Sequence, residues 1–352
     1  MAVEWYAEMS IAVLGAGAIG ASVAADLTQA GIDVLLIDQW PAHVDAMRNQ
    51  GLLVRLADHE RRLRVEALHL CDLCSLQRRF DIVFLAVKAY DTRWSCELIK
   101  PYLQPDGVVV GLQNGMTTAD IADVVNSSRT LGCVIEMAAD MFEPGVVTRH
   151  TPADRTWFGL GNIHPSSERK LEEVEALFRH VGKVSIPTDI MSAKWMKVVV
   201  NAVFLGFLST LGLPIRVAAA LPGARELMLR IGTEALDVGQ RAGYSMQPIF
   251  GMKREEIAGS NHLLESIFDK LISDVGPNAR PAVLHDHLKG RYSEVDAING
   301  LVVSEGLRFK RPTPANEAVV ELTRQIFAGR VTPDPTNLAR IHMALDTKRD
   351  GD

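Results

Sequence analysis

A short stretch over residues 11–20, IAVLGAGAIG, has three glycines in the pattern GxGxxG. The apolar residues before the first glycine have the length of a buried strand. Residues 18–30 have helical spacing, and residues 34–37 read as a second buried strand. A strand, a glycine turn, a helix and a strand in this order form the unit of a parallel sheet. A chain with this unit is expected to contain an α/β domain.

In this context the glycine pattern is typical of a dinucleotide-binding turn. Gly15 allows a tight turn, Gly17 lets the backbone approach a pyrophosphate, and Gly20 lets the helix pack closely on the sheet. Ala18 and Ile19 open the helix, where unpaired N–H groups and the positive end of the helix dipole favour phosphate. We predict that these five residues bind a dinucleotide, with a purely structural turn as the alternative.

Asp38 ends the second strand, in VLLID. A carboxylate at this position accepts hydrogen bonds from the adenosine ribose hydroxyls and repels a 2′-phosphate, which favours NAD over NADP. Arg48 and Arg55 keep NADP open. A structural alternative is that Asp38 caps a helix opened by Pro41.

The pattern of the chain changes near residue 188. Before it, short apolar runs predominate, and residues 52–56 and 63–68 flank a polar stretch as in a hairpin. The length of 352 residues suits about two domains. We predict an α/β dinucleotide-binding domain over residues 1–188 and an all-helical domain over 189–345. The helices predicted in the second domain are 190–211, 223–242, 261–273, 292–308 and 314–328.

Composition argues against two classes of partner. Lys and Arg total 37 against 43 Asp and Glu, a net charge of −6, whereas nucleic-acid binding needs a basic surface. No apolar run has the roughly 18 residues that a membrane span requires. Residues 198–213 include Asn201, so we predict a buried helix there. We expect neither a nucleic-acid partner nor a membrane.

Four cysteines in a chain of this length favour a reducing compartment over a disulfide framework. Cys71 and Cys74 form a CxxC pair without a second pair, so we interpret them as ordinary thiols and expect no metal site. The first ten residues lack the basic start and apolar core of a signal peptide. Both observations favour a cytoplasmic protein.

Polar residues follow two of the apolar runs. Lys88 comes after DIVFLAV, and Asn114 comes after VVVGLQ. Ligands of open parallel sheets bind beyond the carboxyl ends of the strands. Lys88 is therefore a candidate for the cofactor, and Asn114 for the nicotinamide ribose or the substrate; an ordinary loop position is the alternative for each.

The stretch SAKWMKVVVNAVF places Lys197 and Asn201 four residues apart, on one helix face, among apolar neighbours. A lysine on a largely buried helix needs a partner or a task. Because burial lowers the pKa of a lysine, such a residue suits proton donation near neutral pH. We interpret Lys194 as the solvated lysine. A structural role for Lys197 is the alternative.

Glu294 opens a further helical segment, where Ser293 or Tyr292 provides a cap. An acid at this position also suits the helix dipole, so a structural role explains it without a substrate.

Taken together, these motifs resemble those of the ketopantoate reductase family, also called 2-dehydropantoate 2-reductases. They run over most of the chain in the family's order. The matching stretches are GAGAIG at 15–20, VKAYDT at 87–92, LQNGM at 112–116, WMKVVVN at 195–201 and EVDAINGLVV at 294–303.

The resemblance implies a Rossmann domain followed by an all-α domain similar to the C-terminal domain of 6-phosphogluconate dehydrogenase, with the active site in the cleft between them. It implies NAD(P)H-dependent reduction of a 2-keto acid, 2-dehydropantoate, to pantoate. Lys197 would be the general acid, Asn201 and Glu294 would bind the substrate, and Lys88 and Asn114 would line the nicotinamide end. The family usually prefers NADPH.

The chain departs from the family at several positions. Four residues after Asn201, where well-known members have a second Asn, it has Leu205. Where members often have a Ser pair for the substrate carboxylate, it has Pro281 and Ala282, with Arg280 adjacent as a substitute. Gln39 stands where a basic residue is common, which again favours NAD.

Two other functions stay open. A related NAD-dependent dehydrogenase would act on a different keto or hydroxy acid, and a non-catalytic sensor would bind the dinucleotide without turnover. The apolar stretches 198–207 and 301–307 are compatible with a homodimer.

Overall fold

The computed structural model describes residues 9–252 and 263–349. They form two compact units. Unit 1 comprises the residues up to Gln113 together with Thr117–Met191, and unit 2 comprises Asn114–Met116 together with the residues from Ser192 onward. The main division thus falls three residues beyond the predicted boundary, and one short loop of the first half of the chain belongs to unit 2.

Unit 1 contains an eight-stranded sheet in the order β12-β11-β8-β7-β6-β1-β2-β5 and a four-stranded sheet in the order β4-β3-β10-β9. The strands are β1 Ile11–Leu14, β2 Val34–Asp38, β3 Leu52–Arg55, β4 Glu60–Leu63, β5 Glu66–His69, β6 Phe80–Leu85, β7 Leu103–Gly111, β8 Thr130–Glu136, β9 Ala139–Glu143, β10 Val146–Arg149, β11 Trp157–Asn162 and β12 Lys183–Ser185. Its α-helices are α1 Ala18–Gln29, α2 Pro41–Gln50, α3 Thr92–Ile99, α4 Thr118–Val125 and α5 Glu168–Phe178.

The strands from β5 through β2, β1, β6 and β7 to β8 all pair in parallel. This is the doubly wound order of a Rossmann fold, in which the strand order reverses between β1 and β6. Alternate residues of β1 enter opposite apolar clusters, Ile11 and Val13 on one face and Ala12 and Leu14 on the other. Both faces of the sheet are therefore buried, as in parallel sheets generally, and the predicted fold class is confirmed.

The predicted hairpin is only partly correct. β3 and β4 pair antiparallel, with Leu52 opposite Leu63. The second apolar run, however, is divided, because β5 leaves the hairpin and pairs in parallel with β2 of the main sheet. No Gly or Pro marks this division in the sequence. Strands β9 and β12 were not predicted, because both are largely exposed and lack a buried apolar run.

Unit 2 is helical in its described part. Its helices are α6 Ile190–Asn201, α7 Ile215–Ala219, α8 Ala224–Arg241, α9 Leu263–Asp274, α10 Ala282–Leu288, α11 Val295–Arg308, α12 Pro314–Phe327 and α13 Asn337–Arg349. Five correspond to predicted helices, although residues 261–262 of one prediction lie outside the described residues. The other three, α7, α10 and α13, were missed; α7 and α10 are too short for a clear helical period.

The helix that carries Lys197 continues beyond α6 as a π-helix over Ala202–Phe207 and a 3₁₀ helix over Leu208–Leu211. By length and composition alone, Ile190–Leu211 would be able to cross a membrane, with a mean hydropathy of 1.4. The segment contains Lys194 and Lys197, so it is not an uninterrupted apolar run, and it begins eight residues before the predicted stretch 198–213. Inside unit 2 this segment is 83% buried, which agrees with the predicted buried helix.

Candidate functional site

The glycine turn of unit 1 lies directly against the backbone that follows β6. Gly15 has a φ of 96°, and a Cβ added there would lie 2.8 Å from the backbone of Ala86 and Val87. A Cβ on Gly20 would lie 2.1 Å from the carbonyl oxygen of Gly15, whereas one on Gly17 would meet open space. Side chains are thus excluded where the turn packs, and room is left at its middle glycine.

The start of α1 suits a phosphate group. Gly17 is the N-cap, no side chain caps the helix, and its first turn contains no acidic residue. The N–H groups of the first turn, at Ala18 and Ile19, have no partner within the helix itself. An uncapped helix start beside an open glycine is the arrangement that accepts an anion. The residues present therefore fit a dinucleotide pyrophosphate.

Asp38 ties the glycine turn to the start of α2. One carboxylate oxygen accepts a hydrogen bond of 2.7 Å from the Ala16 N–H, and the other accepts one of 2.8 Å from the Trp40 N–H. Trp40 is the N-cap of α2, and Pro41 opens that helix as expected. Each carboxylate oxygen has a second lone pair. Asp38 therefore supports the turn and keeps acceptor capacity for a ligand.

His43 was not predicted and holds the other side of the same turn. Its fully buried ring accepts a hydrogen bond of 2.8 Å from the Gly145 N–H at Nδ1. Nε2 must then carry the hydrogen, and it donates to the Ala16 carbonyl oxygen at 2.8 Å. Ala16 is thus held at both its N–H and its carbonyl. A single His in a short amphipathic helix has no sequence signal for this role.

Lys88 lies in the loop that approaches the glycine turn. It is half-buried and forms the N-cap of the short 3₁₀ helix Ala89–Asp91, directly after the two residues that contact Gly15. Because β1, β2 and β6 are parallel neighbours, their carboxyl ends share one edge of the sheet. Lys88, Asp38 and the glycine turn lie at this edge.

In unit 2, Lys197 and Asn201 are one turn apart on α6. Lys197 is half-buried, and its Nζ lies 4.5 Å from the ring centroid of Phe250. Lys194 is only 3% exposed, so its interpretation as the solvated lysine is wrong. Since α6 is enclosed on nearly all sides, its sequence period does not show which lysine is accessible.

Asn201, Asn114 and Glu294 form a chain of side-chain hydrogen bonds within unit 2. The Asn201 Nδ2 donates to the Asn114 Oδ1 at 2.9 Å, and the Asn114 Nδ2 donates to a Glu294 carboxylate oxygen at 3.5 Å. Asn201 and Glu294 are 2% and 5% exposed. Three candidates from distant parts of the sequence are thereby brought together.

Gly115 allows the loop that carries Asn114 to approach α11 closely. It has a φ of 76°, and an added Cβ would lie 2.8 Å from the carbonyl oxygen of Ala297 in α11. The loop that carries Asn114 therefore lies against the first turn of α11. Glu294 is the N-cap residue of that helix, without a side-chain capping bond, while the Ser293 Oγ accepts a bond of 3.5 Å from the Val295 N–H. The carboxylate of Glu294 is thus not used as a cap.

Trp195 anchors α6, the helix that carries Lys197, against α8. Its indole N–H donates to the Ala235 carbonyl oxygen at 3.0 Å, and its ring stacks on Tyr244 at 5.0 Å. A Cβ on Gly239 would lie 1.8 Å from the indole nitrogen, so only glycine leaves room for the ring. This contact sets the position of α6 relative to α8.

The π-helical turn after Asn201 is held by Asn299, a buried residue with no predicted role. Its Nδ2 donates to the Ala202 carbonyl oxygen and to the Asn316 Oδ1, each at 3.0 Å. A Cβ on Gly206 would lie 1.9 Å from the Asn299 Oδ1. A side chain inserted into the backbone ladder accounts for the local change of helix type, which is frequent at functional sites.

At the positions where this chain departs from the family motifs, the described part of the structure shows no polar side chain that takes the place of the missing one. Leu205 and Ala282 are half-buried, and Arg280 is exposed with no hydrogen bond or ion pair among the described residues.

Cys71 and Cys74 are exposed thiols that form no disulfide. No group of three or more potential metal ligands occurs in the part of the chain that the structure describes. Of the two apolar stretches, residues 198–207 are almost entirely buried, whereas Leu307 in the second is 74% exposed, and the homodimer stays a prediction.

Comparison with known families identifies matches over both units. The model described as ketopantoate reductase PanE/ApbA matches residues 11–162, and the model of its C-terminal part matches residues 189–327. The curated 2-dehydropantoate 2-reductase of Mesorhizobium japonicum is 29% identical over 347 residues, which cover 92% of this chain and 99% of that relative.

Solved structures show the same fold. A PanE/ApbA family ketopantoate reductase from Ralstonia eutropha JMP134 superposes with a TM-score of 0.76 at 23% identity, covering 92% of this chain and 99% of that chain. D-mandelate dehydrogenase with NADH and anilino(oxo)acetate superposes with a TM-score of 0.80 at 21% identity, with the same coverage.

Proposed function

This chain belongs to the ketopantoate reductase family, and we propose that it is an NAD(P)H-dependent oxidoreductase that reduces 2-dehydropantoate to pantoate. The observation that carries the proposal is the joined set of Asn201, Asn114 and Glu294 in the unit that also presents Lys197. Lys197 supplies a cationic proton donor, and the joined set supplies polar groups for a small hydroxylated acid. The relatives that match most of the chain are named for this reaction.

The cofactor is held by unit 1. The open turn at Gly17 and the uncapped start of α1 receive the pyrophosphate. Asp38 accepts hydrogen bonds from the adenosine ribose, and Lys88 lies at the same sheet edge. When bound, NAD(P)H supplies the hydride that reduces the carbonyl carbon. The carboxylate of Asp38 favours NADH, because a 2′-phosphate would meet a negative charge.

Lys197 serves as the general acid. Its ammonium group donates a hydrogen bond to the 2-keto oxygen and stabilises the negative charge that develops there. It then transfers a proton to that oxygen, which completes the hydroxyl group. Lys197 is half-buried, and the Phe250 ring covers part of its amine. Low dielectric surroundings strengthen this interaction.

Glu294 and the two asparagines orient the substrate. The Glu294 carboxylate accepts a hydrogen bond from the distal hydroxyl group of 2-dehydropantoate, and the Asn114 Nδ2 donates to the same carboxylate. Asn201 lies one helical turn from Lys197 and positions the substrate relative to the amine. The Glu294 side chain forms no capping hydrogen bond at the start of its own helix and is 5% exposed, so a contact with a small hydroxylated ligand is compatible with its position.

A second candidate is reduction of a different 2-keto acid with an apolar side chain. The observation that favours it is the pair Leu205 and Ala282, which are apolar where related enzymes have polar groups. A non-catalytic sensor is the third candidate.

The cysteines of the chain form no disulfide among the described residues, which suits an enzyme of the reducing cytoplasm.

A substrate panel separates these candidates. The purified protein is assayed with 2-dehydropantoate, with aliphatic and aromatic 2-keto acids of similar size, and with both NADH and NADPH. The proposal requires the highest kcat/KM for 2-dehydropantoate. A higher value for an apolar keto acid would support the second candidate, and dinucleotide binding without turnover would support the sensor.

A further inference from the structure

The ring of Phe250 lies over the amine of Lys197, with 4.5 Å between Nζ and the ring centroid. Phe250 is 4% exposed. An aromatic face is attracted to a cation through its quadrupole, and the attraction is stronger when the pair is removed from water. Unlike a carboxylate, the ring stabilises the positive charge without accepting a proton. It therefore suits a lysine that has to remain charged and still give its proton to a substrate.

The backbone at Phe250 adopts an unfavourable conformation to place this ring. Phe250 and Gly251 have φ values of 59° and 70°, and the Met252 N–H donates to the Ile249 carbonyl oxygen at 3.1 Å. Two central residues with positive φ and this hydrogen bond are the features of a type I′ turn, whose first central position favours Gly, Asn or Asp. A bulky residue with positive φ is uncommon and tends to occur at functional sites.

The segment that precedes this turn lies along α6. The Ser245 N–H donates to the Ser192 Oγ at 2.9 Å, and the ring of Tyr244 stacks on Trp195. Further along the chain, Phe250 contacts Lys197 of the same helix. Two contacts before the turn thus attach the segment to the helix, so the position of the ring over the amine depends on more than the turn alone.

We propose that Phe250 is a positioning residue for the reduction, and that its ring keeps the Lys197 ammonium charged and directed at the carbonyl oxygen. The inference rests on the proposed function, because it concerns the same proton donor. It assigns a task to a residue outside the motifs that identify the family.

The test compares substitutions at residue 250 under the assay with 2-dehydropantoate. Phe250→Leu keeps an apolar side chain and the same backbone constraint but removes the ring, and we expect kcat to fall about tenfold with KM within threefold. Phe250→Tyr keeps the ring and should retain more than half of the wild-type kcat. Replacing Phe250 by mono-, di- and trifluorophenylalanine weakens the ring quadrupole at nearly constant shape, and kcat should fall stepwise along the series.

Phe309→Leu is the matched control, because it removes the contact of a ring with Arg308 at 5.1 Å in the same unit. Its kcat should equal that of the wild type. If Lys197→Ala abolishes turnover while Phe250→Leu and the fluorinated series keep kcat within twofold of the wild type, the positioning role is overturned and the proposed function stands. If the wild type reduces no 2-keto acid, or Lys197→Ala is fully active, the proposed function itself fails.

Discussion

The side-chain amide of Asn201 donates a hydrogen bond of 2.9 Å to the side-chain oxygen of Asn114, which lies 87 residues earlier in the chain. The amide nitrogen of Asn114 in turn donates to Glu294. Because Asn114 accepts on one side and donates to a carboxylate on the other, the orientation of its amide group is determined by its partners. A loop, a long helix and a helix start are thereby joined in one polar site.

Glu294→Gln tests the substrate end of this site. The substitution keeps the shape but removes the charge that is proposed to accept the substrate hydroxyl group. We expect kcat/KM for 2-dehydropantoate to fall about tenfold or more, the scale of one charge-assisted hydrogen bond. For a 2-keto acid that lacks the hydroxyl group, the value should change less than threefold. Equal losses for both substrates would show that Glu294 acts through the fold and does not bind the hydroxyl group.

Lys197→Ala removes the proposed proton donor. We expect kcat to fall roughly 100-fold or more, the usual scale for general acid catalysis. The control is Lys270→Ala, which removes a half-exposed lysine paired with Asp274 and should leave kcat unchanged. Steady-state kinetics with saturating cofactor measures both. A near-normal kcat for Lys197→Ala would exclude its role as the acid.

Asp38→Asn tests cofactor selection. Loss of the negative charge removes the repulsion of a 2′-phosphate, and we expect the ratio of kcat/KM for NADPH to that for NADH to rise about tenfold. Because Asp38 also accepts the Ala16 and Trp40 N–H groups, binding of both cofactors should weaken. Loss of affinity with an unchanged ratio would mean that Asp38 supports the turn without selecting the cofactor.

Gly239→Ala tests the anchoring of α6. Its new methyl group would overlap the buried indole of Trp195, which is held by stacking and a hydrogen bond. We expect the free energy of unfolding of unit 2 to fall by about 2–3 kcal/mol, with a lower kcat because α6 is displaced. Gly300→Ala is the control, because a Cβ added there would lie no closer than 3.3 Å to its nearest neighbour, an Asp296 carboxylate oxygen. That variant should be neutral or slightly more stable, and urea titrations compare the two.

The burial of His287 leads us to expect that the free energy of unfolding depends on pH. Burial lowers the pKa of His287 from 6.5 to about 4, and neither ring nitrogen has a hydrogen-bond partner among the described residues. Between pH 6.5 and pH 4, His287 binds a proton in the unfolded chain but not in the folded one. The free energy of unfolding therefore decreases as the pH is lowered through this range. Partial exposure limits the loss to about 1–2 kcal/mol between pH 7 and pH 5.

The substitution His287→Leu should remove most of this pH dependence, as measured by urea unfolding at the two pH values. His180→Gln, which changes an exposed histidine, should keep it. If the His287→Leu and wild-type proteins lose stability equally on acidification, other groups account for the dependence.

Local patterns in the sequence were sufficient for the parts of the fold that depend on neighbours in the chain. The GxGxxG turn, the strand that precedes it and the helix that follows are specified by residues within one βαβ unit. The shared face of Lys197 and Asn201 follows from the helical repeat alone. Family motifs also pointed to Asn114 and Glu294, although no local pattern connects them with α6.

Tertiary packing decided which side of each element is covered. Lys194 is buried and Lys197 is accessible because of what packs around α6, and stretch 198–207 is core for the same reason. His43 and Phe250 acquire their contacts from partners that are remote in the chain, Gly145 and Lys197. The spacing of apolar residues along a segment shows that one face is apolar. It does not show which other segments pack on that face, because those segments come from distant parts of the chain.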